Sequence, residues 1–187
     1  MTHYGKQKDG AGALRLLLHI RKGARGGGRA GAGLGADGGD ERDSLFGKAE
    51  DFIAELEALT GKPVMRSIVE AERVGPEKLF DVLVIAPCTG ATLARLALGL
   101  TDTAVTMAAK SHLRNGRPVV VALSTNDALS GSAENIAALL NRKNYYFVPF
   151  GQDDPQGKPN SLQADFARIH ETALAALEGR QLQPVLK

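Results

Sequence analysis

Phe46 to Thr60, FGKAEDFIAELEALT, sets Phe46, Ala49, Phe52, Ile53, Leu56 and Leu59 at intervals of three and four, the period of a helix with one apolar face. Gly61 and Pro63 follow as stop signals. The next apolar segment has a different rhythm. Phe80 to Ala86, FDVLVIA, is a continuous apolar run of strand length ending at Pro87. Strands buried on both faces read this way, and they belong to parallel sheets. Pro118–Leu123, PVVVAL, and Tyr145–Phe150, YYFVPF, repeat the pattern. Between them, Thr92–Leu100 (closing near Gly99) and Ala104–Lys110 read as helices. Ser132–Arg142 is amphipathic, with Ile136, Ala137, Leu139 and Leu140 predicted inward, and Leu162–Glu178 reads as the last helix. VMRSIVEAERV fits either period. The alternation predicts an α/β fold with right-handed crossovers and a doubly wound parallel sheet.

In such sheets ligands sit beyond the carboxyl ends of the strands. Three polar turns fall there: Pro87–Thr92, Ser124–Asp127 and Gly151–Ser161. In the first, PCTGAT, the N–H groups of a helix start, with the hydroxyls of Thr89 and Thr92 on either side of Gly90, would suit an anion or a polar ring; ordinary threonine capping is the alternative. In the second, Ser124, Thr125, Asn126 and Asp127 offer acceptors and an amide donor, or simply cap the next helix. In the third, Asp153 and Asp154 are adjacent carboxylates with no histidine nearby in sequence, so a solvated loop is expected and no metal. Cys88 could be a nucleophile, but without a neighbouring histidine it reads as a small packed thiol. His112 and His170 have charged neighbours and are expected at the surface. Lys110, Arg114 and Arg117 could meet an anionic ligand or form a solvated face. No Walker A loop, zinc site or hydrolase triad is present.

Composition divides the chain at Leu45/Phe46. Residues 1–45 hold 12 of the 22 glycines and carry 8 Lys/Arg against 5 Asp/Glu, whereas residues 46–187 carry 15 against 16. A run such as ARGGGRAGAGLGADGG buries too little apolar surface to offset backbone entropy. Only Ala13–Ile20, ALRLLLHI, could form a short strand or helical turn. The head could be a disordered tail or an Arg/Gly-rich RNA-binding tail. The second reading is weakened because no aromatic residue lies between Tyr4 and Glu41. The net charge of +2 does not argue for nucleic acid. No stretch approaches the ~18 consecutive apolar residues of a membrane span. The single cysteine and the start MTHYGKQKDG, which lacks a secretory pattern, lead us to expect a reducing cytoplasm.

The ordered series DVLVIAPCTGATLARLALGLTDTAVTMAAKSHLRNGRPVVVALSTNDAL, YYFVPFGQDDPQGKPNS and QLQPVLK resembles the family of dipicolinate synthase B subunits. This family is a branch of the flavoprotein superfamily that includes phosphopantothenoylcysteine decarboxylase. The resemblance covers about residues 46–187. It implies a Rossmann-like flavoprotein domain, FMN as cofactor, and a part in forming dipicolinic acid in the mother cell of a sporulating bacterium. It implies the A subunit of dipicolinate synthase as partner, through which alone NAD(P) would enter, and a dihydrodipicolinate-type cyclic dicarboxylate as substrate. A homo-oligomer is expected on the same ground, and a non-catalytic role supporting the partner is the alternative. By resemblance the cofactor-binding residues are Pro87, Thr89, Gly90, Thr92, Ser124, Thr125, Asn126 and Asp127; no catalytic base is identified. The family tends to carry Asn where this chain has Ala91.

The family opens with a strand and a phosphate-type loop, roughly KRIGFALTGSHCTYE, then a helix ending EELV. Neither is present here. If Gln7 to Arg21 are back-translated and read from the second base of each codon, permitted codons give KRMGLALSGSYCTYE; Lys22 to Gly31 then permit KVLAEVEELV. The order and spacing match. Residues from about 5 to about 44 therefore read as an out-of-frame translation of a GC-rich gene, with the return to frame between residues 31 and 46.

Overall fold

The structure, a computed structural model, describes residues 49–187 and the backbone of 16–19 and 31–33. The rest of the head, including Phe46, lies outside the described residues. Helix α1 spans Ala49–Thr60 and stops where predicted: Gly61 takes a left-handed φ of 65°. The ambiguous segment holds a short helix, α2, Ile68–Glu72. A capping box starts it, with the Ser67 hydroxyl accepting from Glu70 N–H and the Glu70 carboxylate accepting from Ser67 N–H.

The centre of the fold is β3 (Leu83–Cys88) beside β4 (Val119–Thr125), parallel as the apolar runs predict. Leu83 pairs with Val119, Val84 with Val120 and Ile85 with Val121; the register shifts before Cys88 pairs with Leu123. Pro87 sits inside that shift, where its lack of an N–H is tolerated. Helix α3, Gly90–Leu98, begins earlier than predicted and ends at Gly99, φ 72°. Helix α4, Ala104–Leu113, starts from a buried Thr103/Thr106 capping box. Gly75 allows the segment after α2 to lie against α4, since a Cβ there would stand 2.6 Å from Ser111 O. Helix α5 spans Ala133–Leu140 and buries Ile136 and Leu139; Ala137 and Leu140, predicted inward, face solvent.

The outer strands differ from a purely parallel sheet. The YYFVPF run divides. Strand β5, Tyr145–Phe147, pairs parallel with Val119–Val121, and β6, Phe150–Gly151, turns away beyond Pro149. Leu162–Ala164, expected to open a helix, is instead β7, antiparallel to both Ser124–Thr125 and β6. Its alternating burial is the strand period. Asp165 then accepts from Ala167 N–H to start a 3-10 turn, and α6 follows at Ile169–Leu177. The segment Leu16–His19 (β1) runs antiparallel to β3, and Gly31–Gly33 (β2) pairs with it.

The QLQPVLK motif closes the sheet. The Gln181 amide accepts from Phe147 N–H at 2.8 Å and donates to Phe147 O at 2.7 Å. Phe150 N–H donates to Val185 O, and Lys187 N–H to Phe150 O. His112, expected at the surface, is fully buried, with Nε2 3.0 Å from Pro118 O. Arg117 is an anchor rather than a ligand group. It donates to Lys78 O and Phe80 O and lies 3.4 Å from Asp81. Cys88 is buried, as a packed thiol would be.

Candidate functional site

At the carboxyl end of β3 the chain passes from Cys88 to Thr89, which adopts an extended N-cap conformation without a side-chain cap bond to the helix. The first helical bond runs from Leu93 N–H to Thr89 O, so the N–H groups of Gly90 and Ala91 lie ahead of it, at the positive end of the α3 dipole. Thr92, expected among the open loop residues, is buried in the first turn, its hydroxyl 3.4 Å from that of Thr89.

Ser124 and Thr125, expected in a loop, are the last residues of β4. The turn beyond them is organised around Asp127. The Thr125 hydroxyl donates to Asp127 Oδ1 at 2.5 Å, and the Ser132 hydroxyl donates to the same oxygen at 3.0 Å. The N–H groups of Ser130 and Ser132 donate to Asp127 O. The Thr125 hydroxyl first, and then that of Ser132, holds the Asp127 carboxyl below its ordinary value. It is thus an ionised acceptor that orients donors, and a poor proton acceptor near neutral pH. Asn126 stands exposed at the tip.

The first two turns touch. A Cβ on Gly90 would lie 2.8 Å from Thr125 Oγ1, 2.9 Å from Ser132 Oγ and 3.0 Å from Asp127 Oδ1. Only glycine brings the α3 start this close to the hydroxyl–carboxylate cluster. Sequence reading missed Ser132, which looked like a helix start only. Its spacing of five from Asp127 was the available signal.

The third turn is tied to the second by Leu129 N–H donating to Asn160 O and by the β4–β7 pairing. Inside it, Asp154 Oδ1 accepts from Gly157 N–H, and Gln152 donates to Pro159 O. The Ser161 hydroxyl, with a smaller contribution from Lys158, lowers the Asp153 carboxyl. Both carboxylates therefore fasten the turn itself. A cavity of about 400 Å³ lies beside these two turns, walled by Leu129, Phe150, Leu162 and Leu186.

This architecture, a parallel β3–β4 core with polar turns at the carboxyl ends, defines an α/β domain of nucleotide- or flavin-binding type. The sequence profile of the Flavoprotein family matches residues 46–169. The dipicolinate synthase B subunit of Bacillus subtilis (strain 168) is 47% identical over 144 residues, spanning 77% of this chain and 72% of that protein. The crystal structure of the dipicolinate synthase B subunit from Bacillus halodurans C superposes with a TM-score of 0.72 at 49% identity, over 78% of this chain and 74% of that one. The FMN-dependent cysteine decarboxylase SpaF superposes at 0.50 and 24% identity, over 67% and 71%, a likeness of fold alone. The chain belongs to the flavoprotein family, grouped within it with the dipicolinate synthase B subunits. Among the described residues no helix is long and apolar enough to cross a membrane.

Proposed function

We propose that the chain is the B-type subunit of a dipicolinate synthase. It would act with a dehydrogenase-like A-type partner on a dihydrodipicolinate-type cyclic dicarboxylate in the mother cell of a sporulating bacterium. The contact that carries this reading is Gly90 against Thr125, Asp127 and Ser132. It sets N–H and hydroxyl donors beside one ionised acceptor at the strand ends of a flavoprotein-family domain.

These residues fit the polar edge of a flavin ring: the cradle is one a Cβ would fill. The first-turn N–H groups of Gly90 and Ala91, with Thr89, Thr125 and Asn126, would hold that edge. Pro87, Thr92 and Ser124 would shape the cradle from behind. Bound FMN would supply a hydride acceptor. The cluster's own residues bind and orient; its one charged side chain, Asp127, is held as a carboxylate, and neither His112 nor His170 belongs to it. The chemistry would thus rest on cofactors, including NAD(P) brought by the partner.

The phosphate end has no cation in this cluster. In the reading of residues from about 5 to about 44 as out of frame, the missing segment is the first strand and its glycine turn, which hold an anion in such folds. The profile match beginning at residue 46, where composition changes, supports that reading. The chain as it stands is then expected to bind flavin weakly. The test is the visible spectrum of the purified chain beside that of a frame-corrected chain, each with and without the partner. Flavin absorbance is expected in the corrected chain. Tight stoichiometric flavin in the present one, or an intact gene with no compensating insertion and deletion, would overturn the out-of-frame reading. Absence of flavin from both would overturn the cofactor assignment.

A further inference from the structure

A second cavity, of about 410 Å³, opens at the opposite pole, by the amino ends of β4 and β5. Its floor is apolar: Leu96, Leu100, Leu113 and Tyr145. Its rim carries Lys110, Arg114, Arg142 and Lys143, and no acidic residue lines it.

The concentration of charge is particular to this place. Fourteen Lys/Arg fall in residues 49–187, and eight of them make an ion pair among the described residues. Of the other six, four line this groove. Arg142 is committed, since its guanidinium donates to Leu96 O and Ala97 O and so closes the end of α3. Lys110, Arg114 and Lys143 present their charge outward from exposed positions. The apolar surface also continues past the cavity: Leu100 is 48% exposed, and Leu98, two residues earlier, is 72% exposed. A small anion would leave those leucines in water. A polypeptide carrying both apolar and acidic residues would cover them and meet the cations.

We propose that this groove docks an acidic, amphipathic segment of the synthase's partner. The inference rests on the reading of the chain as a B-type subunit, and it assigns that partnership a surface remote from the flavin cradle. Rim charges of this kind steer encounter and make binding salt-sensitive, while the apolar floor holds the complex once formed.

The test is calorimetric titration of the purified A-type partner into the full chain, at low and high salt. It compares wild type with Lys110→Glu/Arg114→Glu/Lys143→Glu, the milder triple glutamine variant, and Leu100→Ser. The expected result is binding weakened by about tenfold or more in the charge variants, with most of the salt dependence gone. Leu100→Ser should weaken it without changing the salt dependence. The melting temperature should not move in the glutamine variant or in Leu100→Ser. Equal binding by wild type and variants would overturn the groove assignment and leave the B-type reading intact. No binding by wild type would overturn both. If the charge variants instead change the sedimentation of the chain alone, the groove is a contact between copies and the inference fails.

Discussion

Replacing Gly90 by alanine adds one carbon at the point where α3 meets the Asp127 cluster, and the sign of its effect is informative. Gly90 is helical and not at positive φ, so alanine suits the backbone. On helix propensity and unfolded-state entropy alone, Gly90→Ala would stabilise by about 0.4–1 kcal/mol. Against this stand contacts at 2.8, 2.9 and 3.0 Å to Thr125 Oγ1, Ser132 Oγ and Asp127 Oδ1. Two of those atoms are the hydroxyls that donate to the third. Moving them costs about 1 kcal/mol per bond lost, taken at the low end because Asp127 is exposed. Overpacking costs about 1–3 kcal/mol. With one of the two bonds lost and overpacking at the low end of its range, the net expectation is a loss of about 1–2 kcal/mol, or about 2–8 °C in melting temperature for a chain of this size. Reversible thermal unfolding followed by circular dichroism reads it. Ser132→Ala removes one of the three contacts, so Gly90→Ala should cost about 0.5 kcal/mol less in that background. A Gly90→Ala chain as stable as wild type, or more stable, would refute the packing on which the candidate site depends.

Three further outcomes are expected. Asp127 has a folded pKa below its unfolded value, so its contribution to stability is full above about pH 4 and is lost as pH falls through the lower folded value. Asp127→Asn should therefore flatten part of the acid limb of the melting curve below about pH 4 and leave the neutral region's slope unchanged; an unaltered acid limb would contradict the hydroxyl contacts. Arg117→Ala, which removes the donor to Lys78 O and Phe80 O, should cost about 1–2 kcal/mol in urea unfolding. Thr103→Ala, which breaks the buried capping box of α4, should cost about 1 kcal/mol in the same assay.

The central strands were legible because their signal is local: five consecutive residues at 119–123 and four at 83–86 carry their own apolar pattern. Gly61 and Gly99 were legible as stops for the same reason. Strand β7 was not, because its three residues gain strand character by pairing with Ser124–Thr125, nearly forty positions away, and with Phe150–Gly151. His112 was readable and was misread. It lies four residues beyond Ala108 and three beyond Ala109, on the buried stripe of α4, and its charged neighbours obscured that period. The Ser67/Glu70 box was likewise present in the sequence as S-x-x-E. At the site, residue types and positions at the strand ends could be read. The close approach at Gly90 could not, since it depends on the register between β3 and β4.

That register also bears on what the head can contribute. Leu16 pairs with Ala86 and His19 with Leu83, so β1 runs toward the amino end of β3, away from Gly90. The chain leaves β1 at His19 and returns at Gly31, which pairs with His19 itself. A phosphate-holding turn in a doubly wound sheet must follow its strand at the carboxyl pole, which requires that strand to run parallel to β3. The antiparallel β1 covers the edge of β3 but runs toward the other pole. Strand direction, rather than glycine content, decides whether a strand and its turn can hold an anion at the carboxyl pole. On the proposed out-of-frame reading, a frame-corrected chain should carry a strand parallel to β3 in place of β1, and the gain should appear as flavin affinity rather than as stability of the β3–β4 core.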